Sequence, residues 1–156
     1  MLGRTYEDQI CSISRTLEVV GERWTLLLLR DLHLGLRRFG ELQDSLGVAR
    51  NVLTERLNRL VEDGLVERVQ YQERPVRHEY HLTAKGLDLL PVLLTLMRWG
   101  DRHRAGAAGA PRVVRHAGCG GHIELRLGCT SCGHTMDGPA EVEIVPGPAV
   151  ATATAR

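Results

Sequence analysis

The chain has 156 residues, of which 43% are hydrophobic, and a formal net charge of +1, so it fits one full domain with a small appendage. It contains no apolar run of about 18 residues, and its N-terminus lacks the apolar stretch of a signal peptide. We therefore expect a cytoplasmic protein without a membrane partner and with reduced thiols. Because the net charge is close to zero, any binding of nucleic acid has to come from a local basic patch.

The chain begins with two predicted helices that differ in character. Ser12 or Ser14 can cap a first helix that runs to about Val20 and ends before Gly21. The segment Trp24–Leu32 is apolar nearly all round, which predicts a helix buried in the core.

A pair of helices with a tight turn follows. The apolar spacing predicts a short helix over Arg38–Leu46, a turn at Gly47-Val48 and a second helix over Ala49–Asp63. At 100° per residue the second helix places its leucines on one side. Its other side carries groups able to bond base edges or phosphates: Asn51, Thr54, Glu55, Asn58 and Arg59. The alternative is an ordinary solvated helix face.

Two short strands complete the pattern. Leu65–Tyr71 and His78–Leu82 alternate between apolar and polar residues, as half-buried strands do. The tip between them, Gln72–Arg77, contains Arg74 and Arg77, which suit contacts to phosphate or the minor groove. Helix, turn, helix and basic hairpin in this order predict a mainly α winged helix-turn-helix with a small β wing.

The remaining chain contains one apolar helix and a small extension. Thr83 can cap a last long helix, which Pro91 should kink or divide, and which is apolar enough to lie deep in the core or to pair with a second subunit. A short strand is possible at Glu141–Val145. The predicted domain organisation is an N-terminal arm (1–10), the winged domain with its dimerisation helices (11–103), a linker (104–111), a Cys/His extension (112–145) and a disordered tail (146–156).

From Cys11 to about His103 the chain resembles the HxlR-type winged helix-turn-helix transcriptional regulators of bacteria. The residues that carry the resemblance are spread along this range: Cys11, Gly21–Thr25, Arg38–Leu42, Leu53–Leu57, Leu60–Val66, Pro75, Glu79-Tyr80, Leu82–Gly86 and Trp99-Gly100. Arg23 stands where the family usually has Lys, which keeps the charge. Ala49 stands where the family usually has Ser, so the helix cap is lost and Arg50 and Asn51 become the more important contacts.

The resemblance implies a homodimer, formed by the first and last helices, that binds palindromic operators and more commonly represses than activates transcription. Two recognition helices would then lie about one DNA turn apart. Combining the resemblance with the pattern of side chains, we predict these DNA contacts: Arg37, Arg38, Arg50, Asn51, Thr54, Glu55, Asn58, Arg74 and Arg77.

Cys11 stands alone before the first helix. The positive end of a helix favours the thiolate, and several members of the family use the matching cysteine to sense oxidants or electrophiles. The alternative is a small buried hydrophobic residue in the dimer interface.

The extension contains paired metal-ligand types. His116-x-x-Cys119 and Cys129-x-x-Cys132 could close a tetrahedral Cys₃His site in a zinc-ribbon-like fold, with Ile123–Leu127 as a strand between them. His122 and His134 are alternative fourth ligands. We predict structural zinc; the alternative is a reduced or disulfide-bonded extension without metal.

Two other classes of function compete with the regulator. A zinc-dependent enzyme is disfavoured, because His122-Ile123-Glu124 lies between the cysteines and not before a Pro-preceded Cys pair as in deaminases, and no other catalytic motif is found. A winged domain used only for protein contacts predicts that Asn51, Arg74 and Arg77 are dispensable. We therefore expect a regulator that is not an enzyme.

Overall fold

A computed structural model describes residue 6 and residues 9–148. Most of the predicted N-terminal arm and most of the predicted tail lie outside these residues. The chain divides into two compact units, Met1–Leu93 and Leu94–Arg156, so the boundary falls ahead of the predicted linker. In the part of the chain that the structure describes, no helix has both the length and the apolarity needed to cross a membrane.

The described residues form helices and one hairpin in the order that the sequence predicts. They are α1 (Ser12–Val20), α2 (Thr25–His33), α3 (Phe39–Leu46), α4 (Arg50–Glu62), β1 (Val66–Glu73), β2 (Val76–Leu82), α5 (Ala84–Leu87) and α6 (Leu90–Arg104). Two short 3₁₀ turns follow at Gly106–Ala108 and Pro139–Glu141.

Two local predictions need correction. The residue at the N-cap of α1 is Cys11, without a side-chain cap, and the Ser14 hydroxyl donates to the Cys11 carbonyl at 2.7 Å instead of accepting from an amide. Thr83 caps only the four-residue α5. The helix is interrupted after Leu87, and a separate helix, α6, begins at Leu90 with Pro91 in its first turn. This break bears out the predicted division of the last helix.

The core of the first unit is built from leucines that reach it at helical spacing. Leu28, Leu29 and Leu32 of α2 meet Leu42 of α3 and the leucines of α4. The hairpin and α6 close the cluster through Val66, Tyr80 and Leu93. The side of α4 that faces the cluster is therefore fixed by burial, and its opposite side faces outward.

Glycines end both helices of the pair. Gly47 after α3 has a φ of +62°, and Gly64 after α4 has a φ of +70°, the left-handed region that favours glycine. At the end of α4 the amides of Leu65 and Gly64 donate to the carbonyls of Leu60 and Val61 at 2.9 and 3.0 Å, which is a Schellman motif. This motif turns the chain from α4 directly into β1.

The wing is an antiparallel hairpin whose register runs from Val66 opposite Leu82 to Glu73 opposite Val76. Its register shifts between Gln70 and Gln72, so Tyr71 is the extra residue of a bulge. Arg38 forms an isolated antiparallel bridge with Glu79, which ties the start of α3 to β2.

After α6, the described residues of the second unit contain little regular structure. The strand predicted at Ile123–Leu127 and the one predicted at Glu141–Val145 do not form; residues 123–127 are irregular and a 3₁₀ turn begins at Pro139. Two isolated antiparallel bridges, Arg115 to His122 and Gly128 to Thr135, are found instead. The alternating apolar residues have no second strand and no buried layer to pack against, so their pattern does not produce a sheet.

Candidate nucleic-acid interface

The outward face of α4 is an open polar surface on the first unit. It consists of five residues of this helix, all of them predicted contacts: Arg50, Asn51, Thr54, Glu55 and Asn58. All five are exposed, and they lie opposite the buried leucines of the same helix. Two primary amides, a hydroxyl and a guanidinium on one exposed face are the donors and acceptors that read base edges.

Two of these side chains are positioned by contacts within the unit. The Arg50 guanidinium carbon lies 4.9 Å from the centre of the Phe39 ring, a cation–π contact between α4 and α3. The Thr54 hydroxyl donates to the Arg50 carbonyl at 2.8 Å, so it keeps its lone pairs for an incoming donor. Both contacts pre-orient polar groups at the start of the helix.

An ion-pair cluster that sequence reasoning missed holds α4 against the segment before α2. Arg56, whose side chain is only 13% exposed, bonds Glu22 at 3.1 Å, and Arg59 lies 4.0 Å from the other oxygen of the same carboxylate. Arg59, which helical periodicity placed on the polar face of α4, therefore points toward Glu22. The sequence carried no signal for this cluster beyond the presence of charges, because its partners are far apart along the chain.

Arg37 and Arg38, both predicted DNA contacts, have structural partners at the start of α3. Arg37 is half-buried and donates to the Leu32 carbonyl at the end of α2 at 2.6 Å. Arg38 donates to Glu79 at 3.1 Å, which raises its pKa, and its guanidinium lies 4.9 Å from the centre of the Tyr71 ring. The amides of Arg38 and Arg37 hydrogen-bond Glu41 and lower its pKa. The role of either arginine in DNA binding stays a prediction.

The tip of the wing presents two further arginines. Arg74 and Arg77 are exposed, and within the described residues neither guanidinium has an ion-pair partner. The Arg74 carbonyl accepts from the Gln72 side chain at 2.9 Å. Two unneutralised guanidinium groups on a hairpin tip can each contact a phosphate.

Cys11 is exposed at the N-terminus of α1. Hydrogen bonds from the backbone amides of Ser14 and Ile13 lower the pKa of its thiol, because these groups stabilise the thiolate. Cys11 is therefore accessible in the single chain. Both interpretations, an oxidant-sensing thiol and a cysteine that a second subunit covers, stay predictions.

The four predicted metal ligands lie in two pairs in the second unit. His116 Nδ1 lies 3.2 Å from Cys119 Sγ. Hydrogen bonds from the backbone of Cys132 and then of Ser131 lower the pKa of Cys129. Within the described residues no group of three or more His, Cys, Asp or Glu side chains is gathered closely enough to hold a metal ion. The structure thus brings together each pair but not the four.

Comparisons with known proteins agree on one kind of relative. Residues 19–107 match the model of the HxlR-like helix-turn-helix family. An HTH-type transcriptional regulator of Mycobacterium tuberculosis, Rv3095, is 48% identical over 137 residues, which cover 88% of this chain and 86% of that protein.

Solved structures show the same likeness. The crystal structure of PA1607, a candidate transcription factor, is 31% identical with a TM-score of 0.80 and covers 91% of this chain and 99% of that one. The redox regulator HypR in its reduced form is 33% identical with a TM-score of 0.58, covering 60% of this chain and 94% of its own.

Proposed function

Because this chain belongs to the HxlR-like helix-turn-helix family of transcriptional regulators, we propose that it acts as a homodimer that represses transcription by binding a palindromic operator. The observation that carries the proposal is the outward face of α4, where five polar side chains form one exposed surface after the left-handed turn at Gly47. α4 enters the major groove, and Asn51, Asn58 and Arg50 contact base edges. The wing arginines Arg74 and Arg77 contact the backbone beside it.

The dimer is supported by exposed apolar side chains on the two terminal helices. On α1 they are Ile13, 70% exposed, and Leu17. On α6 they are Val92, Leu96 and Trp99, the last 60% exposed. Large apolar side chains spaced along one helix are costly in water and are typical of a protein interface. A second copy of the chain covers them in this proposal, and its two-fold symmetry sets the palindrome.

The dimer is tested by sedimentation equilibrium. We expect the wild-type chain to sediment as a dimer, and Ile13→Glu or Leu96→Glu to shift it toward monomer. Val145→Glu is the matched control, since Val145 is a 64% exposed apolar residue outside α1 and α6. A monomeric wild type, or a dimer that both helix variants leave intact, contradicts the proposed interface.

DNA recognition is tested by selecting binding sequences from a random oligonucleotide pool and measuring affinity for the winners by gel shift. Asn51→Ala should relax sequence preference at one or two positions of each half-site, at a cost of about 1–3 kcal/mol for the preferred base. Arg74→Ala should weaken binding to all sequences and lower the salt slope by about 1 for each lost phosphate contact.

Arg126→Ala is the control for Arg74→Ala, because Arg126 is also exposed but lies in the extension, paired with Glu124 at 2.7 Å. Failure to select any sequence, with the dimer intact, favours the protein-contact module over the regulator. Repression itself is measured by transcription in vitro from a promoter that carries the selected site; increased transcript on adding the protein would reverse the assigned direction.

A second property, response to oxidants, is favoured by the exposure of Cys11 and the lowered pKa of its thiol. The similar protein HypR is a redox regulator, which adds support. In the proposed step the Cys11 thiolates of two protomers form one disulfide, while an oxidant such as diamide accepts their two electrons and takes up two protons from solvent.

The test compares operator affinity before and after diamide treatment. Wild type should change its affinity and form a covalent dimer on non-reducing gels, and Cys11→Ser should do neither. Diamide-treated wild type that is then reduced with dithiothreitol is the control; it should regain its original affinity and lose the covalent dimer. An unchanged oxidant response in Cys11→Ser rules out sensing by this thiol.

A further inference from the structure

The Cys/His extension contains the same backbone turn twice. In the first copy the His116 amide donates to the Gly121 carbonyl at 2.8 Å, and in the second the Cys129 amide donates to the His134 carbonyl at 2.8 Å. A second bond closes each turn, from Gly120 to the His116 carbonyl at 2.8 Å and from Gly133 to the Cys129 carbonyl at 2.9 Å. An isolated antiparallel bridge flanks each copy.

The two copies also agree in their glycine and in the position of their soft ligands. Gly120 and Gly133 follow the last cysteine of each turn with φ values of +72° and +73°. The first position of the turn is His116 in one copy and Cys129 in the other, and the fourth is Cys119 or Cys132. Because the two turns share both hydrogen bonds and both ligand positions, we expect their His and Cys side chains to have the same role.

Apolar burial does not explain these turns. From Leu94 to the end of the described residues no side chain is buried, and Ile123 and Leu127 are exposed. A short segment without a core needs a disulfide or a metal ion to fold stably. A disulfide between Cys129 and Cys132 would account for the second turn but would leave the matching His116 and Cys119 pair unexplained.

The separation within the first pair fits one edge of a metal site. Zinc–sulfur and zinc–nitrogen bonds of about 2.3 and 2.1 Å at a tetrahedral angle place the two ligand atoms about 3.6 Å apart. His116 Nδ1 and Cys119 Sγ are 3.2 Å apart, so a shift of a few tenths of an ångström produces the required spacing.

We infer that the two turns together supply a structural zinc site with His116, Cys119, Cys129 and Cys132 as its ligands. Since the described residues show the ligands only in pairs, closing the site requires the ion to draw the two turns together. The three cysteine thiols each release a proton to solvent on binding. Four protein ligands fill the tetrahedral shell, so the site stabilises the extension and leaves no position for catalysis.

The structure also selects among the histidines. His134 stands at the sixth position of the second turn, where the first copy has Gly121, so it lies outside the two ligand positions of the repeat. His122 pairs with Arg115 through the bridge that closes the first turn, outside the two ligand positions of the repeat. Only His116 occupies the position that Cys129 holds in the second copy.

The test is a cobalt titration of the full-length protein after chelator treatment under reducing conditions. We expect one equivalent of Co²⁺ to bind, with the visible d–d absorption of a tetrahedral ion and the near-ultraviolet sulfur-to-cobalt bands of thiolate ligands. Zinc should displace the cobalt and bleach both. Cys129→Ser and His116→Asn should each weaken Co²⁺ binding at least ~100-fold or remove the tetrahedral spectrum.

Two matched variants complete the design. Cys11→Ser removes a cysteine outside the pairs, and His134→Asn removes the competing imidazole; both should leave the stoichiometry and spectrum unchanged. Absence of thiolate bands at one equivalent of cobalt overturns the site, as does a Cys129→Ser variant that titrates like wild type. Loss of the tetrahedral spectrum in His134→Asn with retention in His116→Asn overturns the ligand assignment.

Discussion

The first unit, called the body below, and the Cys/His extension (112–145) are stabilised by different kinds of contact. Thirteen apolar side chains of the described residues are buried, and every one lies at or before Leu93. They come from helices and a hairpin that are separated along the chain, so each is placed by contacts with residues distant in sequence. In residues 112–145 the order comes from hydrogen bonds that close short turns.

This difference determines how the two regions should respond to change. A body held by close packing loses stability when a buried side chain is shortened, because the neighbours cannot fill the space. An extension held by local turns loses little when an exposed apolar side chain is shortened. The interface on α4 depends on the first kind of order, since the burial of its leucines decides which side chains face outward.

The largest effect should come from Leu57→Ala in α4. Leu57 is 0% exposed within the core, so the variant should lose roughly 2–5 kcal/mol of unfolding free energy through lost transfer energy and a cavity. Leu127→Ala, at a site 68% exposed in the extension, is the matched control and should change it by less than about 0.5 kcal/mol. Urea unfolding followed by the fluorescence of Trp24 in the first unit and Trp99 in the second measures both variants. Equal losses in the two variants would abolish the distinction between the regions.

A smaller loss is expected from Gly86→Ala in α5. A Cβ there would lie 2.2 Å from the Leu65 carbonyl oxygen and 3.0 Å from the Leu82 side chain, so backbone has to move. Overpacking of this kind costs roughly 1–3 kcal/mol.

Gly40→Ala is the control, because a Cβ at this position in α3 meets nothing within 4 Å. Alanine should leave stability unchanged there or raise it by up to ~1 kcal/mol. The same urea measurement checks both, and a neutral Gly86→Ala would show that the body tolerates adjustment better than its packing implies.

The same contrast explains how far the sequence alone predicted the structure. The polar face of α4 was predictable because helical periodicity alone separates Leu53, Leu57 and Leu60 from the polar side chains between them. The ion pair between Arg56 and Glu22 was not predictable, because a single sequence does not show which distant charged residues pair. In the extension, alternating Ile123, Leu125 and Leu127 favoured a strand that does not form, because alternation needs a partner strand and a layer to cover it.

Arg37 makes a contact that sequence reasoning missed, because its guanidinium donates to the Leu32 carbonyl at 2.6 Å. Its contact with DNA stays a prediction. The wing arginines Arg74 and Arg77 needed no tertiary information, since a hairpin tip exposes its side chains whatever surrounds it.

The smallest expected effect concerns His33, a titratable group within the body. Burial lowers the pKa of its imidazole, and the charge of Arg37 adds to this, although a hydrogen bond with the Gly86 backbone acts in the opposite direction. Because the folded-state pKa lies below the unfolded value, the unfolded chain takes up a proton first as the pH falls. Stability is therefore unaffected above the ordinary imidazole pKa and decreases as the pH falls through it toward the lower folded value.

His33→Gln should remove this component, so the gap in melting temperature between pH 7.5 and pH 5.5 should be narrower than in wild type. His103→Gln, at an exposed imidazole in α6, should leave the gap as it is. An unchanged gap in His33→Gln would show that the acid sensitivity of the body arises from other groups.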